Sequence, residues 1–149
     1  MRRRARMIVA AAILFTVGAA VAGCSQLPFH DESYRARIPD ALQEAELGIS
    51  AAWAEVGLSG FVETLYVGGT LEITEESNKA VSTKLVGEVI DVVLSNTPPP
   101  STYLQLSFRD SKDTLIDLSS TFQELDVAVR GDGSISMEDA KSIAKDEHR

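Results

Sequence analysis

Apolar residues recur at steps of three and four through Ile38, Leu42, Ala45, Ile49, Ala52, Trp53 and Val56, a period that predicts an amphipathic helix. Pro39 suits its first turn and Gly57 its stop. Asp40, Glu44 and Glu46 favour its N-terminal end electrostatically. Trp53 falls on the apolar stripe of that helix and is expected in the core. From Phe61 the period changes to two. Phe61, Glu63, Leu65 and Val67 alternate with Val62, Thr64 and Tyr66, and Leu71 and Ile73 continue the alternation after Gly68-Gly69. This predicts a hairpin turning at the glycine pair, where positive φ costs nothing.

A second helix is predicted from about Ser77 to Leu94, with Val81, Leu85, Val89 and Val92 as its stripe and Val86 and Val93 beside it. Thr97-Pro98-Pro99-Pro100 ends it, because proline lacks the N–H and restricts the residue before it. Leu104, Leu106 and Phe108 alternate with Tyr103, Gln105 and Ser107 as a third strand. A polar turn, Arg109 to Asp113, leads to a short fourth strand over Thr114 to Leu118. Ser120 and Gln123 match a capping box for a short helix carrying Phe122 and Leu125. Ser136 and Asp139 form a looser version ahead of a last helix with Met137, Ala140, Ile143 and Ala144 on its apolar side. The order of elements predicts an α+β domain: a four-stranded antiparallel sheet, ferredoxin-like or a related sandwich, with helices on one face.

The N-terminal residues follow a different logic. Arg2, Arg3, Arg4 and Arg6 precede an uncharged run, Ile8 to Ala22, and small residues then lead to Cys24. Positive, apolar and small-residue zones in that order make a secretory signal. The apolar run is shorter than the ~20 residues of a spanning helix. Val21-Ala22-Gly23-Cys24 resembles the lipobox of bacterial lipoproteins. The resemblance implies cleavage before Cys24 and a diacylglyceryl group on its sulfur. The expected organisation is a signal peptide over 1–23, a lipidated tether over 24–38 and one domain over 39–149. The expected location is the extracytoplasmic face of the cell membrane.

Charge and cysteine content narrow the function. Removing residues 1–23 takes four of the 14 basic residues and none of the 22 acids, moving the net charge from −8 to −12. That acidity argues against nucleic acid, whose affinity rests on phosphate neutralisation. It argues equally against lying flat on anionic lipid. Cys24 is the only cysteine. Once it carries lipid, the domain has no disulfide, thiolate metal site or cysteine nucleophile.

Few residues support chemistry. His30 and His148 lie outside every predicted element, where no triad or metal site holds an imidazole rigidly. No Gly-x-Ser-x-Gly elbow is present. Glu63, Glu72, Asp91 and Asp117 are candidate acid–base carboxylates, but nothing pairs any two of them. Asp132-Gly133-Ser134-Ile135 looks like the middle of a calcium loop. With Gly133 in the sixth position, Ala128 and Arg130 would stand first and third, where oxygen ligands are required. A turn with a helix cap accounts for it better. Arg130-Gly131-Asp132 spells an adhesion tripeptide that a glycine-rich turn explains equally well.

The layout of Phe61 to Ile73, Val81 to Leu94, Leu104 to Phe108 and Asp117-Leu118 is similar to that of small lipoproteins of actinobacteria, a family with no catalytic residues to transfer. The expectation is a non-catalytic, membrane-anchored interaction or scaffold module of the cell envelope, without cofactor or metal, whose partner is an envelope protein. The alternative is a binding protein for a small ligand or envelope polymer. It would use the sheet face free of helices, where Tyr66, Tyr103, Val62 and Gln105 would lie.

Overall fold

Residues 31–72 and 81–147 are described by a computed structural model. Helix α1 spans Tyr34–Glu44, followed by strands β1 (Ile49–Ser59) and β2 (Val62–Leu71). Helix α2 (Thr83–Ser95), strand β3 (Tyr103–Arg109), helix α3 (Ser119–Glu124), strand β4 (Ile135–Ser136) and helix α4 (Met137–Glu147) complete the chain. The strands form one sheet in the order β1-β2-β3-β4. This is the expected α+β domain with four strands. Helices α1 and α4 both pack on α2, which places the three in one layer over the sheet. The leader, Cys24, His30, Ile73, Ser77 and His148 lie outside the described residues.

The sheet is mixed rather than wholly antiparallel. β1–β2 and β3–β4 are antiparallel, but β2 and β3 run parallel, with Leu65 opposite Leu104 and Val67 opposite Leu106. The cause is the long connection carrying α2. A helix laid back across the sheet returns the chain to the end where β2 began, and the next strand then starts in the same direction.

The largest correction concerns residues 49–56, predicted as helix and found in strand β1. α1 ends at Glu44, and Glu46 (φ 53°) and Gly48 (φ 70°) turn the chain back into β1. Ile49 and Ser50 pair with Leu71 and Thr70, but pairing resumes at Trp53 opposite Gly68. Ala51 and Ala52 therefore both oppose Gly69, a β-bulge in which Ala51 takes a φ of 47°. One extra residue shifts the alternation, so Ile49 and Ala54 face the core five residues apart. That phase shift imitates helical spacing. α1 in turn begins at Tyr34, within the stretch expected as tether, because Tyr34 and Ile38 are buried. The Tyr34 hydroxyl accepts a hydrogen bond from the Val56 N–H at 3.1 Å.

The hairpin turn also moves. β2 passes straight through Gly68-Gly69, and the turn is Gly60-Phe61, closed by Ser59 opposite Val62. Gly60, at φ 70°, stands in the first central position, the place for glycine in a type II′ turn.

α2 begins at Thr83 rather than near Ser77, with the Ser82 hydroxyl accepting from the Leu85 N–H at 3.2 Å. Its buried Val86, Val89, Ile90 and Val93 meet Ile38 and Leu42 of α1, Leu65 and Val67 of β2, and Leu104 and Phe108 of β3 in one core. Thr114 to Leu118 is not a strand. It makes a single bridge, Arg109 to Leu115, and β4 lies at Ile135–Ser136 instead. The Ser120–Gln123 box does not form. The N-terminal residue of α3 is held by the Asp117 carboxylate, which accepts from the Ser119 N–H at 2.9 Å. The Ser136–Asp139 box does form, with Asp139 N–H to Ser136 Oγ at 3.0 Å and Ser136 Oγ–H to Asp139 Oδ2 at 2.7 Å.

Candidate functional site

The sheet face turned away from the helix layer is built by strand alternation. Trp53, Glu55 and Gly57 of β1 lie opposite Gly68, Tyr66 and Thr64 of β2. Those β2 residues lie opposite Ser107, Gln105 and Tyr103 of β3. Tyr66, Tyr103, Gln105 and Val62 are half-buried, and all four share this face as expected. Trp53 joins them rather than the core and stays 40% exposed.

Two glycines let the rings lie close to the sheet. A Cβ on Gly68 would stand 2.5 Å from Cζ2 of the Trp53 indole, and closer still to the Ser107 carbonyl oxygen. A Cβ on Gly57 would stand 3.2 Å from Cε2 of Tyr66. The indole thus covers Gly68 directly across the strand pair, and the Tyr66 ring leans over Gly57. Gly69 leaves room for the bulge, since its Cβ would meet the Ile49 side chain at 2.8 Å and the Ser50 carbonyl at 3.0 Å. The Gly-Gly pair is therefore a packing device inside a strand.

A loop closes one side of the face. The Arg130 guanidinium lies 4.2 Å from the centroid of the Tyr103 ring, a cation–π contact. Arg130 also pairs with Asp132 at 3.5 Å. Asp132 Oδ1 accepts from Ser134 Oγ at 2.6 Å and from Ser134 N–H at 3.1 Å, and Oδ2 accepts from Ser59 Oγ at 2.6 Å. Both charged ends of Arg130-Gly131-Asp132 are thus used within the fold, as the turn reading expects. Hydrogen bonds from Ser134 and Ser59, with the nearby charge of Arg130, hold the Asp132 carboxyl far below the usual carboxylate range, Ser134 being the largest cause.

The sign of that shift gives a prediction. A depressed carboxyl contributes stability above its unfolded pKa and loses that contribution as pH falls toward its folded value. Asp132→Asn should cost about 1 kcal/mol at pH 7 in urea unfolding. The gap to the native chain should narrow below about pH 4. A gap that stays constant down to pH 2 would contradict the assignment.

Thr64 lies on this face between Gly57 and Tyr103, fully buried, with no hydrogen-bond partner for its Oγ1. Thr64→Val keeps the shape and removes an unsatisfied oxygen, so it should raise stability by about 1 kcal/mol. A loss of stability on thermal or urea unfolding would mean the hydroxyl has a role that this geometry does not reveal.

A cleft of about 300 Å³ adjoins the face at the outer edge of β3. β4 pairs only with Tyr103 and Leu104, and the next outer contact is the Leu115 bridge at Arg109. The gap between them opens the cleft, lined by Gln105 to Ser107, Leu115 to Ser119, Phe122, Val129, Asp132 and Gly133.

Two of the candidate acid–base carboxylates are far apart. Glu63 lies near the start of β2 and Glu72 just past its end, about 30 Å apart by strand rise. Asp91 lies on α2, and Asp117 borders the cleft. Asp31, Asp110, Asp117 and Asp132 are all displaced toward lower pKa, hydrogen bonding being the largest cause in each. That is the direction of a fixed acceptor rather than of a proton donor. Comparison with known proteins finds no match among protein-family models, curated sequences or solved structures.

Proposed function

We propose that the chain is a lipid-anchored extracytoplasmic module that binds an envelope protein through its helix-free sheet face, without catalysis. The single observation that carries this reading is the layer of Trp53, Tyr66 and Tyr103 spread across three strands, with glycines beneath two of the rings. Aromatic rings offer large contact area with little rotamer entropy to lose, which is why they concentrate in protein interfaces. The mature charge of −12 and the sulfur of Cys24 support a domain tethered to, and projecting from, a membrane. In this reading the likeness to small lipoproteins of actinobacteria extends to the role of the leader.

A second reading, binding of a small ligand or an envelope polymer, has its own support in the 300 Å³ cleft beside Gln105. One experiment separates the two. A photo-crosslinking side chain is placed at Gln105 on the face, or at exposed Lys84 on α2, in the full-length protein in intact envelope. The first reading predicts a discrete protein adduct from position 105 and none from 84. A polymer or small-molecule adduct from 105 supports the second. Protein adducts from 84 alone would reject the face as the binding surface.

A further inference from the structure

The tip of the β1–β2 hairpin is the most exposed apolar point among the described residues. Phe61 is fully solvent-exposed and Leu58 is 70% exposed. No charged residue lies between Glu55 and Glu63, so the tip is an uncharged run, Val56-Gly57-Leu58-Ser59-Gly60-Phe61-Val62. Exposed clustered apolar groups mark contact with something apolar.

The fold puts this tip where the tether enters. α1 turns at Gly48 into β1, which runs back alongside it, and the Tyr34 hydroxyl meets the Val56 N–H near the start of α1. From Val56, β1 runs on three residues to Ser59, about 10 Å, before the chain reverses at the Gly60-Phe61 turn. Six residues lie between Cys24 and Asp31, seven steps along the chain that span at most about 25 Å. That reach lets the hairpin tip touch a bilayer holding the lipid on Cys24. The Lys112 turn follows β3 at the other end of the sheet, where Arg109 lies opposite Thr70 and β1 begins, away from the start of α1.

We infer that Leu58 and Phe61 form a second membrane contact, inserting into the interfacial zone of the bilayer that carries the lipid anchor. The inference rests on lipidation of Cys24 as proposed above. A membrane fits the tip better than a protein pocket does. The short tether holds the bilayer at high effective concentration, and a small convex turn needs only an apolar layer to enter. Glu55 and Glu63 flank the run and the Asp132 carboxylate is bound at Ser59, which limits insertion to the turn itself. Such a contact fixes the tilt of the domain and keeps the aromatic face at a set angle to the membrane.

The test uses the full-length protein purified from membranes and reconstituted in phosphatidylethanolamine–phosphatidylglycerol vesicles. Leu58→Cys carries an environment-sensitive fluorophore, with Lys112→Cys as the distant control. The sulfur of Cys24, bound to lipid, does not take the label. The label at 58 should be quenched by nitroxide-bearing lipid and shielded from aqueous iodide, and adding Phe61→Ser should remove both effects. The label at 112 should stay open to iodide. A lipidated chain whose position 58 is as open to iodide as position 112 would overturn the inference and leave the anchor intact. Shielding in native envelope but not in pure lipid vesicles would also overturn it, and would identify a protein as the occupant. A chain found by mass without lipid on Cys24 fails the anchoring reading itself.

Discussion

Gly68→Ala is expected to destabilise the fold by about 3 kcal/mol, near the upper end of the usual cost of overpacking. Two neighbours create the cost: the Ser107 carbonyl oxygen on β3 and the Trp53 indole on β1, whose Cζ2 would lie 2.5 Å from the new Cβ. The first is backbone and can yield only if β2 and β3 separate. The second can yield by lifting the ring off the sheet. Alanine also restricts the unfolded chain, which favours folding by about 0.4–1 kcal/mol, so the clash must exceed the observed loss by that amount. Trp53 is the only tryptophan, so its emission reports the displacement without a label. A red shift should accompany the loss of stability. Gly57→Ala is the comparison. There the Cβ would meet only the Tyr66 ring, at 3.2 Å, and a small tilt relieves it. Equal stability losses for the two variants would contradict the packing described for the aromatic face.

Gly68 also shows why part of the fold was hidden in the sequence. A glycine pair between alternating residues is a turn signal, and only the cross-strand register reveals an indole lying over one of them. The β1 bulge has the same character. Ala51 and Ala52 opposite Gly69 convert a period of two into an apparent period of three and four. Trp53, placed in a helix and the core by that period, belongs to the exposed face. The parallel pairing of β2 with β3 depends on the path of α2, which no local pattern records. By contrast β3 was legible, because Leu104, Leu106 and Phe108 alternate without interruption and are all buried. The Ser136–Asp139 cap was legible because it needs only residues three apart. Tyr66, Tyr103, Val62 and Gln105 were placed on a common face by the same simple alternation. The loop that closes that face was not, since its Arg130–Tyr103 and Asp132–Ser59 contacts join residues far apart in sequence.

The second large effect concerns location. Cys24→Ala, exported behind an ordinary secretory leader cut ahead of position 24, should move the domain from the membrane to the soluble extracytoplasmic fraction. Burial of two acyl chains contributes ~0.8 kcal/mol per CH₂, and removing both leaves an acidic domain with no polybasic patch. Among the described residues no helix is long and apolar enough to cross a membrane. The Leu58–Phe61 contact alone is too small to replace two chains. A variant that remains wholly with the membrane would require a different anchor.

The face, the tip and the tether have one premise in common, and it is chemical. It is tested by the intact mass of the mature protein extracted from membranes, with fragmentation of its N-terminal peptide. The expected mature chain begins at Cys24, and its first residue carries a diacylglyceryl group in thioether linkage. A mature chain that begins elsewhere, or that begins at Cys24 with a free thiol, would contradict it.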